Sequence, residues 1–135
     1  KEKEFFYHEY KMQPKDTLTR ISLILYGTVR RWKDIQEWNS LKEGTIKELE
    51  VGETIRYRIP DPQNQGKPEG VPYLVQNGDT LQKISRKAYP DDTTRHWRKI
   101  RNHNKILLRH ADMIYPGMTI YLPTSSDIRP LEKIE

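Results

Sequence analysis

The feature that most constrains this chain is that it repeats itself. Tyr10 to Pro60 and Tyr73 to Pro123 are each 51 residues long. Shifted by 63 positions, Tyr10, Asp16, Thr17, Leu18, Ile21, Ser22 and Tyr26 fall on Tyr73, Asp79, Thr80, Leu81, Ile84, Ser85 and Tyr89. Shifted by 65, Trp32, Ile35, Asn39, Gly52, Thr54 and Ile55 fall on Trp97, Ile100, Asn104, Gly117, Thr119 and Ile120. An ordered series of this kind means two copies of one structural unit. The composition agrees. Apolar residues are 34% of the chain and charged residues 32%, too little apolar material for one large core but suited to small modules.

The remaining residues divide around the copies. Residues 1–9 form an N-terminal arm carrying Phe5, Phe6 and Tyr7. Residues 61–72, DPQNQGKPEGVP, have linker composition, with three prolines and two glycines. Residues 124–135 are a polar C-terminal tail. The chain begins at Lys1 rather than Met, so it is expected to be a processed product or a piece of a longer protein. No apolar run approaches the ~20 residues of a membrane-spanning helix.

Each copy reads as strand, helix, helix, strand. In the second, Tyr73 to Val75 is a short β-prone run ended by the turn pair Asn77-Gly78. Asp79 or Thr80 then offers an oxygen to the free N–H groups of a helix start, with the aspartates Asp16 and Asp79 the expected caps. Leu81, Ile84 and Ala88 share a helical face. Trp97, Ile100 and Asn104 repeat that spacing in a second helix, with Asp92, Thr93 or Thr94 as caps, and both tryptophans, Trp32 and Trp97, are expected in the core. Asn39 and Asn104 are expected to satisfy backbone groups at a helix end. Tyr115-Pro116-Gly117 is a turn, and Thr119 to Leu122 a strand. The first copy has Leu18, Ile21, Ile24 and Leu25 in its first helix and Thr54 to Ile59 as its last strand. The fold class expected is α+β: two tandem, independent βααβ modules, each a two-stranded antiparallel sheet with two helices on one face.

These residues resemble the LysM (lysin motif) family. The second copy carries the pattern as Tyr73-x-Val75-x-x-Gly78-Asp79-Thr80-Leu81-x-x-Ile84-Ser85, then Tyr89, Trp97, Ile100 and Asn104, then Ile114-Tyr115-Pro116-Gly117-x-x-Ile120-x-Leu122-Pro123. The resemblance implies LysM-like repeats at 10–60 and 73–123. It implies binding of N-acetylglucosamine-containing glycan, peptidoglycan or a chitin-like oligosaccharide, in a groove between the strand-1/helix-1 loop and the helix-2/strand-2 loop. Carried over, that groove in repeat 2 is Asn77, Gly78, Asp79, Thr80 and Leu81 facing Met113, Ile114, Tyr115 and Pro116. In repeat 1 the weaker counterparts are Lys15, Asp16, Thr17 and Leu18 facing Leu49 and Val51. There Pro14-Lys15-Asp16 replaces Asn77-Gly78-Asp79. Since Gly admits positive φ more readily than Lys, the first loop is expected to bend differently. The better sugar site is expected in repeat 2.

Catalysis is not expected. Cysteine is absent, which removes thiol nucleophiles and thiolate metal sites, and no G-x-S-x-G or HExxH pattern is present. His96, His103 and His110 are seven apart, but the third lies beyond the expected helix end and no acidic partner repeats with them, so neither a metal nor a cofactor is expected. The net charge is +5. Arg95, Arg98, Lys99, Arg101, Lys105 and Arg109 crowd the second helix of repeat 2, either as a solvated face or as a surface for anionic envelope polymers. No nucleic-acid-binding fold accompanies them, so a nucleic-acid partner is not expected.

The function expected is a non-catalytic carbohydrate-binding module anchoring a larger protein to the bacterial cell wall, located in the periplasm or on the wall. The alternative is a protein-interaction scaffold in an envelope or phage-tail-like assembly, favoured by the divergent first loop, Trp38 and the aromatic arm.

Overall fold

The computed structural model describes residues 6–41, 51–59, 68–90, 96–105, 107–108, 114–124 and 130. Among them, repeat 1 runs β1 (His8–Lys11), α1 (Leu18–Tyr26), a 3-10 turn at Val29–Arg31, α2 (Trp32–Trp38) and β2 (Thr54–Tyr57). Repeat 2 runs β3 (Val71–Leu74), α3 (Leu81–Ala88), α4 (His96–His103) and β4 (Thr119–Leu122). Each is a βααβ unit whose first and last strands pair antiparallel, Tyr10 opposite Ile55 and Tyr73 opposite Ile120. Both first strands start two residues before the repeat boundary read from the sequence, at His8 and Val71. Val71-Pro72 reads as linker because proline lacks a ladder donor, yet proline is tolerated on an edge strand where its nitrogen faces outward.

The first helix of each repeat begins in the same way. Thr17 Oγ1 accepts from Arg20 N–H and Thr80 Oγ1 from Lys83 N–H, each at 3.1 Å. The caps are therefore the threonines and not Asp16 and Asp79. The aspartates are one residue too early and are engaged in the preceding loop. Ile21 and Ile84 then turn fully inward, as do Ile35 and Ile100 from the second helices.

An asparagine ties each second helix to its closing strand. Asn104 Nδ2 donates to Ile100 O (2.7 Å) and Tyr121 O (2.8 Å), while its Oδ1 accepts from Tyr121 N–H (2.8 Å). Asn39 makes the same three bonds to Ile35 and Arg56. Each amide thereby uses both of its donor hydrogens and one of its two acceptor directions, which suits the buried Asn104 and the half-buried Asn39.

The tryptophans are not where the pattern places them. Trp32 is half-buried against the core, whereas Trp97 is half-buried outside it, with Arg98 and Arg101 guanidinium groups each 5.3 Å from its ring centre. Ile100, three residues on, is the position that fills the core, and a large ring can lie along the rim while a helix points its isoleucine inward. The expected caps Asp92, Thr93 and Thr94 lie outside the described residues.

The repeats are not independent. Lys11 N–H, on the edge of β1 away from β2, donates to Gly117 O at 2.7 Å, and Tyr10 forms an antiparallel bridge with Met118. The strand order is thus β2-β1-β4-β3, with the two sheets meeting along β1 and β4. Directly opposed residues of an antiparallel pair share a face, and Tyr10 and Met118 are both buried, so both helix pairs cover the same side. A Cβ at Gly117 would stand 2.3 Å from Lys11 O, so glycine is required there by the neighbouring repeat as well as by its φ of +97°. Phe6, ahead of β1, meets Tyr121 edge-on with ring centres 6.5 Å apart.

Candidate functional site

In repeat 2 the loop between β3 and α3 is a four-residue turn. Asp79 N–H donates to Gln76 O at 3.0 Å, and Gly78 carries φ +87°. Positive φ at the third position is the mark of a type II turn. Asp79 is nearly buried and collects the loop around its carboxylate. Its Oδ2 accepts from Tyr73 OH (2.6 Å) and Gln76 N–H (2.8 Å), and its Oδ1 from Lys87 Nζ (3.1 Å). Burial by itself would raise the Asp79 pKa, but these three donors outweigh it and hold the carboxyl below its ordinary value. Burial, and then the hydrogen bond to Asp79, raise the Tyr73 phenol. The structure thus places Asp79 in the wall of the loop, where its oxygens are used internally.

Repeat 1 builds the same loop from different residues. Asp16 Oδ2 accepts from Tyr10 OH (2.6 Å) and Gln13 N–H (2.9 Å), Asp16 Oδ1 from Arg20 Nε (3.3 Å), and Asp16 N–H donates to Gln13 O (3.1 Å). Lys15 takes φ +68° at the position of Gly78. The expectation of a differently bent loop is therefore corrected. The aspartate lock and the proline at the second turn position specify the bend, and Lys15 is held in the left-handed region at a cost of order 1–2 kcal/mol.

The facing segment of repeat 2 is tied to this loop at its base. Val75 N–H donates to Met118 O (2.8 Å), Gly117 N–H to Val75 O (3.0 Å) and Met118 N–H to Tyr115 O (3.2 Å). Ile114, Tyr115 and Pro116 are half-buried, as is Leu81 at the start of α3, while Asn77, Gly78 and Thr80 are exposed. The two segments therefore meet at their roots and present a mixed rim of apolar side chains and loop backbone. In repeat 1, Gly52 N–H donates to Met12 O (2.9 Å) and Met12 N–H to Glu53 O (2.8 Å), which is the equivalent junction. Thr17 is exposed, Leu18 is buried and Val51 is 64% exposed. Met113 and Leu49 lie outside the described residues.

Along α4 and just beyond it, Arg98, Lys99, Arg101 and Lys105 are all exposed; Arg95 and Arg109 lie outside the described residues. Lys83 and Arg86 add exposed cations on α3, and neither helix contains a carboxylate. His103 is bound through Nε2 to Glu69 O, and no cluster of three metal-ligating side chains occurs among the described residues. His110 lies outside them.

Lys11 and Gln13 of repeat 1, which neither repeat's own pattern singles out, abut the Gly117 turn of repeat 2. A signal for this contact exists in the chain. Repeat 2 has Met118 and Tyr121 where repeat 1 has Glu53 and Arg56, an apolar pair on one copy that needs a cover.

Among solved structures, the chain resembles the Bacillus cereus spore cortex-lytic enzyme SleL (20% identity, TM-score 0.38, covering 90% of this chain and 24% of that one). It also resembles the Bacillus megaterium QM B1551 spore cortex-lytic enzyme SleL (22% identity, TM-score 0.35, covering 91% and 24%). This chain thus spans about a quarter of the length of either enzyme. Comparison with curated proteins finds no match. The LysM domain profile matches twice, at residues 10–57 and 73–123. With a doubled βααβ unit and a profile match over most of its length, the chain belongs to the LysM domain family.

Proposed function

We propose that this chain is a non-catalytic module that holds N-acetylglucosamine-containing glycan, with bacterial peptidoglycan as its ligand, and anchors a larger protein to the cell wall. LysM domains bind such glycans and are binding modules rather than catalysts. The observation that carries the reading is the junction in repeat 2. Two loops from opposite ends of the unit are bonded at Val75, Gly117 and Met118 and leave Leu81, Ile114, Tyr115 and Pro116 partly exposed. An N-acetyl sugar offers an amide, hydroxyls and a methyl. Loop backbone groups match the first two, and Leu81 or Ile114 the third. Repeat 2 is the stronger site because its Leu81 still presents surface, whereas the equivalent Leu18 is buried. LysM domains occur in extracellular or cell-wall proteins, which supports an envelope location for this one. No helix among the described residues is long and apolar enough to cross a membrane.

Calorimetric titration with chito-oligosaccharides tests the site. Tyr115→Ala and Leu81→Ala weaken binding, and Val51→Ala and Leu18→Ala weaken it less. Stronger loss from the repeat 1 changes reverses the ranking, and no binding to chito-oligosaccharide or peptidoglycan ends the reading.

A second surface is supported by the exposed cations of α3 and α4. Anionic wall polymers are their partners, by diffuse attraction rather than a fitted pocket. Arg98→Glu with Lys105→Glu lowers pelleting with cell walls at low salt, leaves neutral-sugar binding unchanged, and loses most of its effect at ~0.15 M salt, where the Debye length is ~8 Å. The scaffold alternative has less to stand on. Phe6 packs on Tyr121, Tyr7 lies under Arg56 (4.8 Å), and Trp38 packs on the core beneath Arg58 (5.9 Å), so these aromatics have partners within the chain.

A further inference from the structure

The docking of the two repeats is head-to-tail. The free edge of a first strand, β1, meets the free edge of a last strand, β4. Because β1 and β4 are antiparallel, the end of β1 and the beginning of β4 lie side by side. The loop that follows β1, Gln13 to Thr17, therefore stands next to the turn that precedes β4, Tyr115 to Met118. The contact is close. Lys11 N–H holds Gly117 O at 2.7 Å, and a Cβ on Gly117 would approach Gln13 Nε2 to 2.9 Å. Gln13 is half-buried here, whereas its counterpart Gln76 is exposed, although both amides donate to the equivalent strand carbonyl (3.0 Å to Lys11 O, 3.1 Å to Leu74 O).

The Tyr115–Met118 turn is thus flanked on both sides by loops of the same kind: its own repeat's Gln76–Thr80 and the neighbour's Gln13–Thr17. We infer that the glycan site of repeat 2 is shared. The Gln13–Lys15 loop of repeat 1 contacts a glycan chain that crosses the Tyr115-Pro116 turn, so the full ligand is a longer oligosaccharide than one repeat accommodates. This rests on the glycan reading of repeat 2. The chemistry at the seam suits a sugar. The Gln13 amide keeps its Oε1 as an acceptor for an acetamido N–H or hydroxyl while Nε2 is held by Lys11 O. Pro14 and Lys15 lie beside it, both exposed. The joined strands keep this loop at a set distance from the turn, so the second set of contacts is made without a further search, which is the condition under which linked sites strengthen one another.

The test uses the whole chain and N-acetylglucosamine oligomers of two to eight sugars, titrated by calorimetry. The expected result is an affinity that climbs beyond the length one groove fills, with the longest oligomers at least about tenfold tighter than the trimer. Gln13→Ala removes most of that gain and leaves trimer affinity unchanged. Gln76→Ala, at the counterpart position without a neighbouring repeat, leaves the gain in place. A length dependence that Gln13→Ala does not alter overturns the shared site and leaves the repeat 2 groove standing. Absence of binding at every length overturns both.

Discussion

The two repeats have the same skeleton and unlike surfaces. In repeat 1, α1 leaves Leu23 52% exposed and Val29, just after it, 48% exposed, and its cations Arg20 and Arg31 are paired with Asp16 and Asp34. In repeat 2, α3 and α4 are covered with cations, and among the described residues only Lys87 has a carboxylate partner, Asp79. What the copies share is the set of side chains that satisfy backbone groups: the Tyr–Asp lock, the threonine cap, the asparagine clamp and the tyrosine joining the first helix to the end of the last strand. Tyr26 OH donates to Arg58 O and Tyr89 OH to Pro123 O. Leaving a buried donor or acceptor unpaired costs about 1–3 kcal/mol, a large share of the stability of so small a unit. Surface residues carry no such penalty, so the copies are free to differ there. The difference in surface is therefore where their functions separate.

The largest expected effect tests whether the repeats stand or fall together. Ile100→Ala empties a fully buried position and costs about 2–5 kcal/mol. Since β1 is bonded to repeat 2 at Gly117, hydrogen exchange at Lys11 quickens as well. Loss of protection confined to repeat 2 would return the molecule to two independent units. Trp97→Ala, by contrast, removes a rim residue and its two guanidinium contacts and costs about 1–2 kcal/mol.

The aspartate lock comes next. Asp79→Ala strands the Tyr73 hydroxyl and Gln76 N–H and costs about 1–3 kcal/mol in chemical denaturation. Its pH dependence has a definite sign. A carboxyl whose folded pKa is lowered stabilises the fold above its unfolded value, and that stability is lost as pH falls through the folded value. Melting temperature should therefore drop as pH falls from ~4 downward, and Asp79→Asn should flatten that part of the profile. An unchanged acid limb would remove Asp79 from the lock.

The turn residues sharpen the comparison directly. Lys15→Gly relieves the left-handed backbone but frees the unfolded chain, for a net gain of about 0.5 kcal/mol, and Gly78→Lys costs about 1 kcal/mol. The cost at Gly78 is one of backbone conformation alone, because a Cβ placed there would meet no atom within 4 Å. Equal and opposite shifts in the melting midpoint are not expected, since Lys15 already occupies its turn at φ +68°. A destabilised Lys15→Gly would mean that the lysine side chain has a role beyond the turn.

The smallest effect concerns Tyr57, which stands where repeat 2 has Leu122. Its hydroxyl is buried without a hydrogen-bond partner among the described residues. Tyr57→Phe is expected to be neutral or stabilising by up to ~1 kcal/mol, whereas Tyr89→Phe, which loses the 2.6 Å bond to Pro123 O, costs about 1 kcal/mol. A costly Tyr57→Phe would reveal a partner for that hydroxyl.

The repeat and its internal spacing were legible in the amino-acid order because they reflect local requirements. Helical faces need Ile21 and Ile84 at set intervals, a helix start needs an oxygen such as that of Thr17 or Thr80, and Asn39 and Asn104 have to meet backbone groups a fixed distance away. Those constraints act within a few residues or within one unit, so they leave a pattern. Three things were decided only by tertiary contact. Trp97 lies on the rim under Arg98 and Arg101, whereas its counterpart Trp32 packs against the core. Lys15 adopts the glycine-like backbone because Asp16, bonded to Tyr10 across the loop, holds the turn. The repeats are joined because Lys11 finds Gly117, a bond between positions 106 residues apart. Each of these depends on which surface is left uncovered once the units have formed, and no periodicity along the chain encodes that.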